Sequence, residues 1–252
     1  MAKGGWILSI DADEILSIQD QTGLRRLLAS RAHALEIPIE SNGMRWYLPR
    51  LFRKKPWTAW RERVHEWVEI RGPVRRTECV AIHNRPDKSG KESAAERDLR
   101  LCGAQLREDA DHLRAVLYLA RALRHTGRYE EAIPLYRRYW RESDFTAGRY
   151  TAMLGAAICA LLLHDFVSAR RFGLTAYRLD TRLAEACCVI GDACLGIGRL
   201  DLARTWFRRA LEKPLPGREY PYFVDPSSYD ALPRQRLGWI EARVHDAPFE
   251  VS

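Results

Sequence analysis

The chain has 252 residues, 46% of them hydrophobic and 29% charged, with a formal net charge of +8. That is enough apolar material for one large or two modest cores, and it excludes a disordered polypeptide. The apolar stretch in the opening MAKGGWILSI is too short for a secretory leader, and no later run is long enough to span a bilayer, so a cytoplasmic protein with no membrane span is expected.

Residues 6–10, WILSI, are five largely apolar positions bounded by Gly5 and by an acidic cluster, the pattern of a short buried strand. Asp11 and Asp13 are two residues apart, so if the extended conformation persists they project to one side and Ala12 to the other. A carboxylate pair at a strand's carboxyl end lies where open α/β sheets place ligands. It suits Mg²⁺ or Mn²⁺ with substrate phosphates completing the shell. The same residues also suit an idle, solvated acidic turn after a core strand.

Residues 19–31 carry Leu24, Leu27 and Leu28 at helical spacing and predict a short amphipathic helix. Residues 33–39 read as a strand with Pro38 near its end. The turn Ser41-Asn42-Gly43 leads into a second extended run over 44–52. Pro56 and Gly72-Pro73 punctuate the next stretch, and residues 80–82 supply one more short strand before His83. Between residues 45 and 76 ten basic residues face three acids, which accounts for nearly all the net charge. Interleaved with Trp46, Tyr47, Phe52, Trp57, Trp60 and Trp67, this stretch suits nucleic acid, a diphosphate or an anionic acceptor, or else a solvated arginine-rich surface.

From residue 92 onward strand signals vanish. The segments GRYEEAIPLYRRY, HDFVSARRFGLTA and GRLDLARTWFRRA align so that Tyr129, Phe166 and Leu200 correspond, as do Ala132, Ala169 and Ala203, at separations of 37 and then 34 residues. The partner helices carry Ala120, Ala157 and Gly191 where two helices must approach closely. A period near 34 with small residues at the crossings resembles the tetratricopeptide repeat. Residues 92–107 read as an entering half-repeat, 213–228 as an ordered loop and 229–244 as a closing helix. The six cysteines contain no Cys-x-x-Cys pair and four stand in helical text, against a zinc site or a disulfide framework.

The order WILSIDADEIL, PRLFRKK, WRERVHEWV, VAIHNR and then helical repeats resembles family 2 glycosyltransferases with a carboxyl-terminal repeat extension. The resemblance implies an α+β chain: a partial GT-A-like α/β domain over 1–91, lacking its first nucleotide-binding units, followed by an all-α tetratricopeptide-like superhelix over 92–252. It implies that Asp11 and Asp13 hold the metal and the donor diphosphate together with Arg63, that Glu66 is the general base, and that His83 reaches the metal. A nucleotide-sugar donor and a glycan, peptide or protein acceptor would go with it, in an inverting transfer. Relatives have Gly in the turn where this chain has Glu62. Only five residues precede Trp6, so the chain alone is expected to be a poor catalyst.

Three other readings compete. One is a protein-binding module in which the repeats hold a peptide or protein beside a relic α/β part. Another is a haloacid dehalogenase-type phosphatase, against which Ile15 replaces the usual Thr or Val. Nucleic-acid binding through residues 45–76 is the weakest and is not expected; its affinity would fall steeply with salt.

Overall fold

The computed structural model describes residues 4–41, 44–64, 66–85, 92–216 and 224–245. Asn42-Gly43, His65 and residues 86–91 and 217–223 lie outside the described residues. The chain divides into two compact units, Met1–Glu92 and Ser93–Ser252.

The first unit contains strands β1 (Trp6–Leu8), β2 (Glu14–Ile18), β3 (Ala34–Ser41) and β4 (Met44–Arg53), with helix α1 (Gln21–Ala29) between β2 and β3. Short strands β5 (Trp60–Arg61) and β6 (Trp67–Val68) pair with each other, and β7 (Val74–Arg76) and β8 (Val80–Asn84) complete the set. The main sheet runs β1-β4-β3-β8-β2, with β7 also on β3. β1–β4, β4–β3 and β8–β2 are antiparallel, while β3 is parallel to β7 and β8.

This corrects the expected course of the opening stretch. The first strand stops at Leu8 and forms one edge of the sheet; residues 14–18 return as the opposite edge. Residues 9–13 therefore cross the end of the sheet, four strand spacings or roughly 19 Å. The reversal is a turn in which the Glu14 N–H donates to the Asp11 carbonyl at 3.1 Å. A turn breaks the two-residue alternation on which the Asp11/Asp13 pairing depended.

One sheet face packs Leu35, Ile37, Ile39, Leu51, Val80 and Ile82 against Leu24, Leu27 and Leu28 of α1. Helix α1 starts on Asp20, whose carboxylate accepts from the Gly23 N–H at 2.8 Å. At its far end the guanidinium of Arg53 donates to the carbonyls of Leu28, Ser30 and Ala32 at 3.2, 2.6 and 2.9 Å. Such donors satisfy carbonyls that have no partner within the helix. On the other face Ala34 and Phe52 are covered by Val68 and Ile70.

The second unit is helical among its described residues: α2 (Ala94–Glu108), α3 (Leu113–His125), α4 (Tyr129–Glu142), α5 (Thr146–Leu162), α6 (Phe166–Leu179), α7 (Ala184–Gly196), α8 (Leu200–Leu211) and α9 (Ala231–His245), with a 3-10 turn at Pro226–Tyr229. Helices α2 to α9 pack on their successors, with the 3-10 turn bracing α7, α8 and α9; α5 also touches α3 and α7. The first helices of the repeats, α3, α5 and α7, thus form a continuous layer. Ala120, Ala157, Ala132, Ala169 and Ala203 are completely buried. A Cβ on Gly191 would come within 2.6 Å of the Phe207 ring.

The turn between the two helices of each repeat is the same three times. Gly127, His164 and Gly198 have φ of 78°, 58° and 74°. The next residue's N–H donates five positions back, Arg128 to Leu123, Asp165 to Ala160 and Arg199 to Cys194, each at 2.9 Å. This left-handed ending closes off carbonyls that the helix leaves open. Among the described residues no helix is long and apolar enough to cross a membrane.

Candidate functional site

The acidic turn does gather a cation, and that cation is Arg50. Its guanidinium donates to Glu14 at 2.7 Å and to Asp11 at 3.1 Å. Glu14 is the buried member, its side chain 1% exposed, and its second oxygen accepts the Asp11 N–H at 2.7 Å. A charge buried this way is tolerated only because it is paired and hydrogen-bonded. Asp11 is largely exposed. Asp13 lies in the turn and its carbonyl accepts from the Arg85 N–H at 2.9 Å, which ties the turn to the end of β8.

His83 stands on β8 opposite Ile15, and its ring is engaged along the sheet rather than with Asp13. Nε2 is 3.0 Å from Ser17 Oγ and Nδ1 is 3.2 Å from Glu40. Glu66 is exposed between β5 and β6, and Arg63 is exposed in the same connection. Arg61 pairs with Glu69, which also holds Arg71 at 2.5 Å, and the two guanidiniums keep the Glu69 carboxyl below the usual range. Among the described residues no three His, Cys, Asp or Glu side chains converge as metal ligands. As arranged, with Asp11 on Arg50 and His83 on Ser17 and Glu40, the expected donors do not form a Mg²⁺ or Mn²⁺ site.

The basic stretch uses much of its charge internally. Arg45 pairs with Glu78 and, at 3.3 Å, with Glu40. Arg76 reaches Glu36 at 3.2 Å and lies 4.3 Å from the Tyr47 ring centroid. Tyr47 donates to Glu78, a bond that pushes its phenol above the ordinary value. Exposed pairs of this kind contribute little stability each, yet they engage cations that a phosphate backbone would need.

In the second unit the helix alignment fixes three rows across the first-helix layer. Counting from Ala120, Ala157 and Gly191, the positions six before are Arg114, Thr151 and Glu185, three before are Leu117, Leu154 and Cys188, and one after are Arg121, Ile158 and Asp192. The α3 and α5 members are half-buried. The α7 members are covered by residues 225–236. Glu185 accepts from the Asp225 N–H at 2.9 Å and the Tyr229 hydroxyl at 3.0 Å; Cys188 Sγ donates to the Ser228 carbonyl at 3.4 Å; Arg236 reaches Asp192 at 2.8 Å. Burial raises the carboxyls of Glu185 and Asp192 and pushes the Cys188 thiol up to about 12. Along the layer the surface passes from cationic at α3, through apolar at α5, to an acidic end neutralised from within.

Glu14, Ser17, Glu40 and the role of Arg50 are absent from the sequence reading. No local signal marks Glu14 and Ser17: EILSI is apolar at Ile15, Leu16 and Ile18 and does not alternate.

Two family models match, both described as tetratricopeptide repeat, at residues 103–147 and 184–212. Both fall in the second unit, away from the residues that carry the transferase resemblance. No curated protein matches the chain. Among solved structures, MamA from Desulfovibrio magneticus RS-1, from its residue 41 to the end, is 17% identical with a TM-score of 0.50, over 61% of this chain and 78% of that one. A MamA RS-1 ArsTM double mutant gives 17% identity and a TM-score of 0.50 over 61% and 77%. At such identity the likeness concerns the fold. Beside a small amino-terminal sheet unit, the chain carries tetratricopeptide repeats.

Proposed function

We propose that this protein is a tetratricopeptide binding module that holds a peptide segment of a partner protein against the α3–α5 part of the first-helix layer. The observation that carries this is that α3, with half-buried Arg121 and Arg124, packs on α5, with half-buried Leu154 and Ile158. Guanidiniums next to aliphatic side chains select a segment that mixes carboxylates with aliphatic residues. The test is fluorescence polarisation of the full chain with two labelled peptide pools, one alternating Glu with Leu and the other Lys with Leu. The Glu pool should bind, and Arg121→Glu with Arg124→Glu should weaken it by about tenfold or more, ~1.4 kcal/mol. Equal binding of both pools, or indifference to the charge reversal, overturns the reading.

A second reading takes the first unit as the acceptor-side part of a sugar-nucleotide transferase, with Asp13, Asp11 and Arg63 at a donor diphosphate and Glu66 as base. What supports it is Glu62, whose φ of 69° lies in the left-handed region at the position where relatives have Gly. Mg²⁺ or Mn²⁺ binding would require Asp11 to leave Arg50. A rise in Tm with Mn²⁺ plus a nucleoside diphosphate, lost in Asp13→Asn, is the expected result; no rise with UDP or GDP removes the reading.

A further inference from the structure

Three adjacent strands bring Ser17, His83 and Glu40 into line on the sheet face opposite α1. Ser17 Oγ lies 3.0 Å from His83 Nε2, and His83 Nδ1 lies 3.2 Å from Glu40 Oε2. With the ring proton on Nδ1 donated to the carboxylate, Nε2 carries the lone pair and accepts the serine hydroxyl. These are the two ring contacts that a nucleophile, a base and an orienting carboxylate require, whatever the fold that supplies them. Arg45 Nε holds the other oxygen of Glu40 at 3.3 Å and keeps that carboxylate in place.

The edge of the sheet adds donors. The Gln19 N–H donates to Cys79 and the Arg85 N–H to Asp13, so odd-numbered residues of β2 direct their amides to β8. By the alternation of an antiparallel ladder, the amides of Leu16 and Ile18, on either side of Ser17, turn outward. β2 is the terminal strand of its sheet.

We propose that Ser17 is a nucleophile that accepts acyl groups from activated esters, with His83 as its base and Glu40 as a positioning residue. The Ser17 oxygen bonds to the acyl carbon while its proton passes to His83 Nε2. The adduct collapses, the bond to the leaving oxygen breaks, and that oxygen takes the proton from His83. Water then repeats the two steps, releasing the carboxylic acid and restoring Ser17. The substrate class comes from exposure: His83 and Glu40 side chains are 39% and 38% exposed, so the site binds little of its substrate and depends on a good leaving group such as a phenolate.

The test uses the full chain, a fluorophosphonate probe and peptide mass mapping, with p-nitrophenyl acetate as the turnover substrate. Phosphonylation should map to Ser17. Folded His83→Ala should label about 100-fold more slowly and recover with added imidazole. Glu40→Gln should slow labelling by about tenfold, with Glu40→Asp retaining more. Circular dichroism establishes that each variant is folded. No adduct on Ser17, a His83→Ala rate equal to the native one, or a folded His83→Ala that imidazole does not rescue overturns the proposal.

Discussion

Gly127, His164 and Gly198 hold the same left-handed backbone in three successive repeats, and only one of them pays for a side chain. An L-residue there costs about 1–2 kcal/mol, against roughly 0.5–1 kcal/mol for the extra freedom of glycine in the unfolded chain. A Cβ on Gly127 or Gly198 would meet nothing within 4 Å, so strain is the whole cost of adding one. Gly198→Ala should destabilise by ~1 kcal/mol and His164→Gly should stabilise by about 0.5 kcal/mol, its exposed ring contact with Phe166 being a small loss. Urea titration of both variants measures this; a stabilised Gly198→Ala contradicts it. Arg50 shows the other limit of single-residue reading. Two carboxylates close together do demand a cation, but the chemistry is indifferent to whether a metal or a guanidinium supplies it, and only the long-range register places Arg50 against Glu14.

Helix α9 is fastened to α7 through Asp192 and Arg236, and the 3-10 turn before it through Glu185. Burial raises the Glu185 carboxyl more than its bonds to Asp225 and Tyr229 lower it, so the folded chain binds a proton that the unfolded chain releases. The sign is therefore fixed. That contribution is complete below the ordinary glutamate value of about 4.3 and is lost as pH rises through the raised value. Glu185→Gln keeps an acceptor and removes the proton, so as pH rises above about 4.3 its Tm should fall less than the native Tm. Identical pH profiles contradict the assignment. The repeat elements are legible in the sequence because each correspondence is local: Tyr129, Phe166 and Leu200 turn out to be the first residues of α4, α6 and α8. Strand β2 is not, because EILSI directly after an acidic cluster reads as the tail of a turn. Its partner β8 lies 66 residues away where Ser17 meets His83, and pairing over that distance leaves no local periodicity to read.

For the whole molecule, each apolar cluster draws on one unit: Leu35 and Phe52 belong to clusters within Met1–Glu92, and Tyr136, Phe207 and Tyr229 to clusters within Ser93–Ser252. The fragment 93–252 should then fold alone, with helical circular dichroism and a cooperative melt, and should keep any peptide affinity of the full chain. A fragment that melts without cooperativity defeats this. The two repeat spacings also differ, and the structure locates the difference. Measured from Ala120, Ala157 and Gly191, α3, α5 and α7 end at the same place, but α5 begins four residues earlier than its two counterparts. Four residues of helix add about 6 Å, and Phe145, 63% exposed, stands at the tip. The overhang lies at one margin of the layer: α5 projects a turn past α3 and α7 at its amino-terminal end, while the rows six before, three before and one after the small residue stay in register across all three helices.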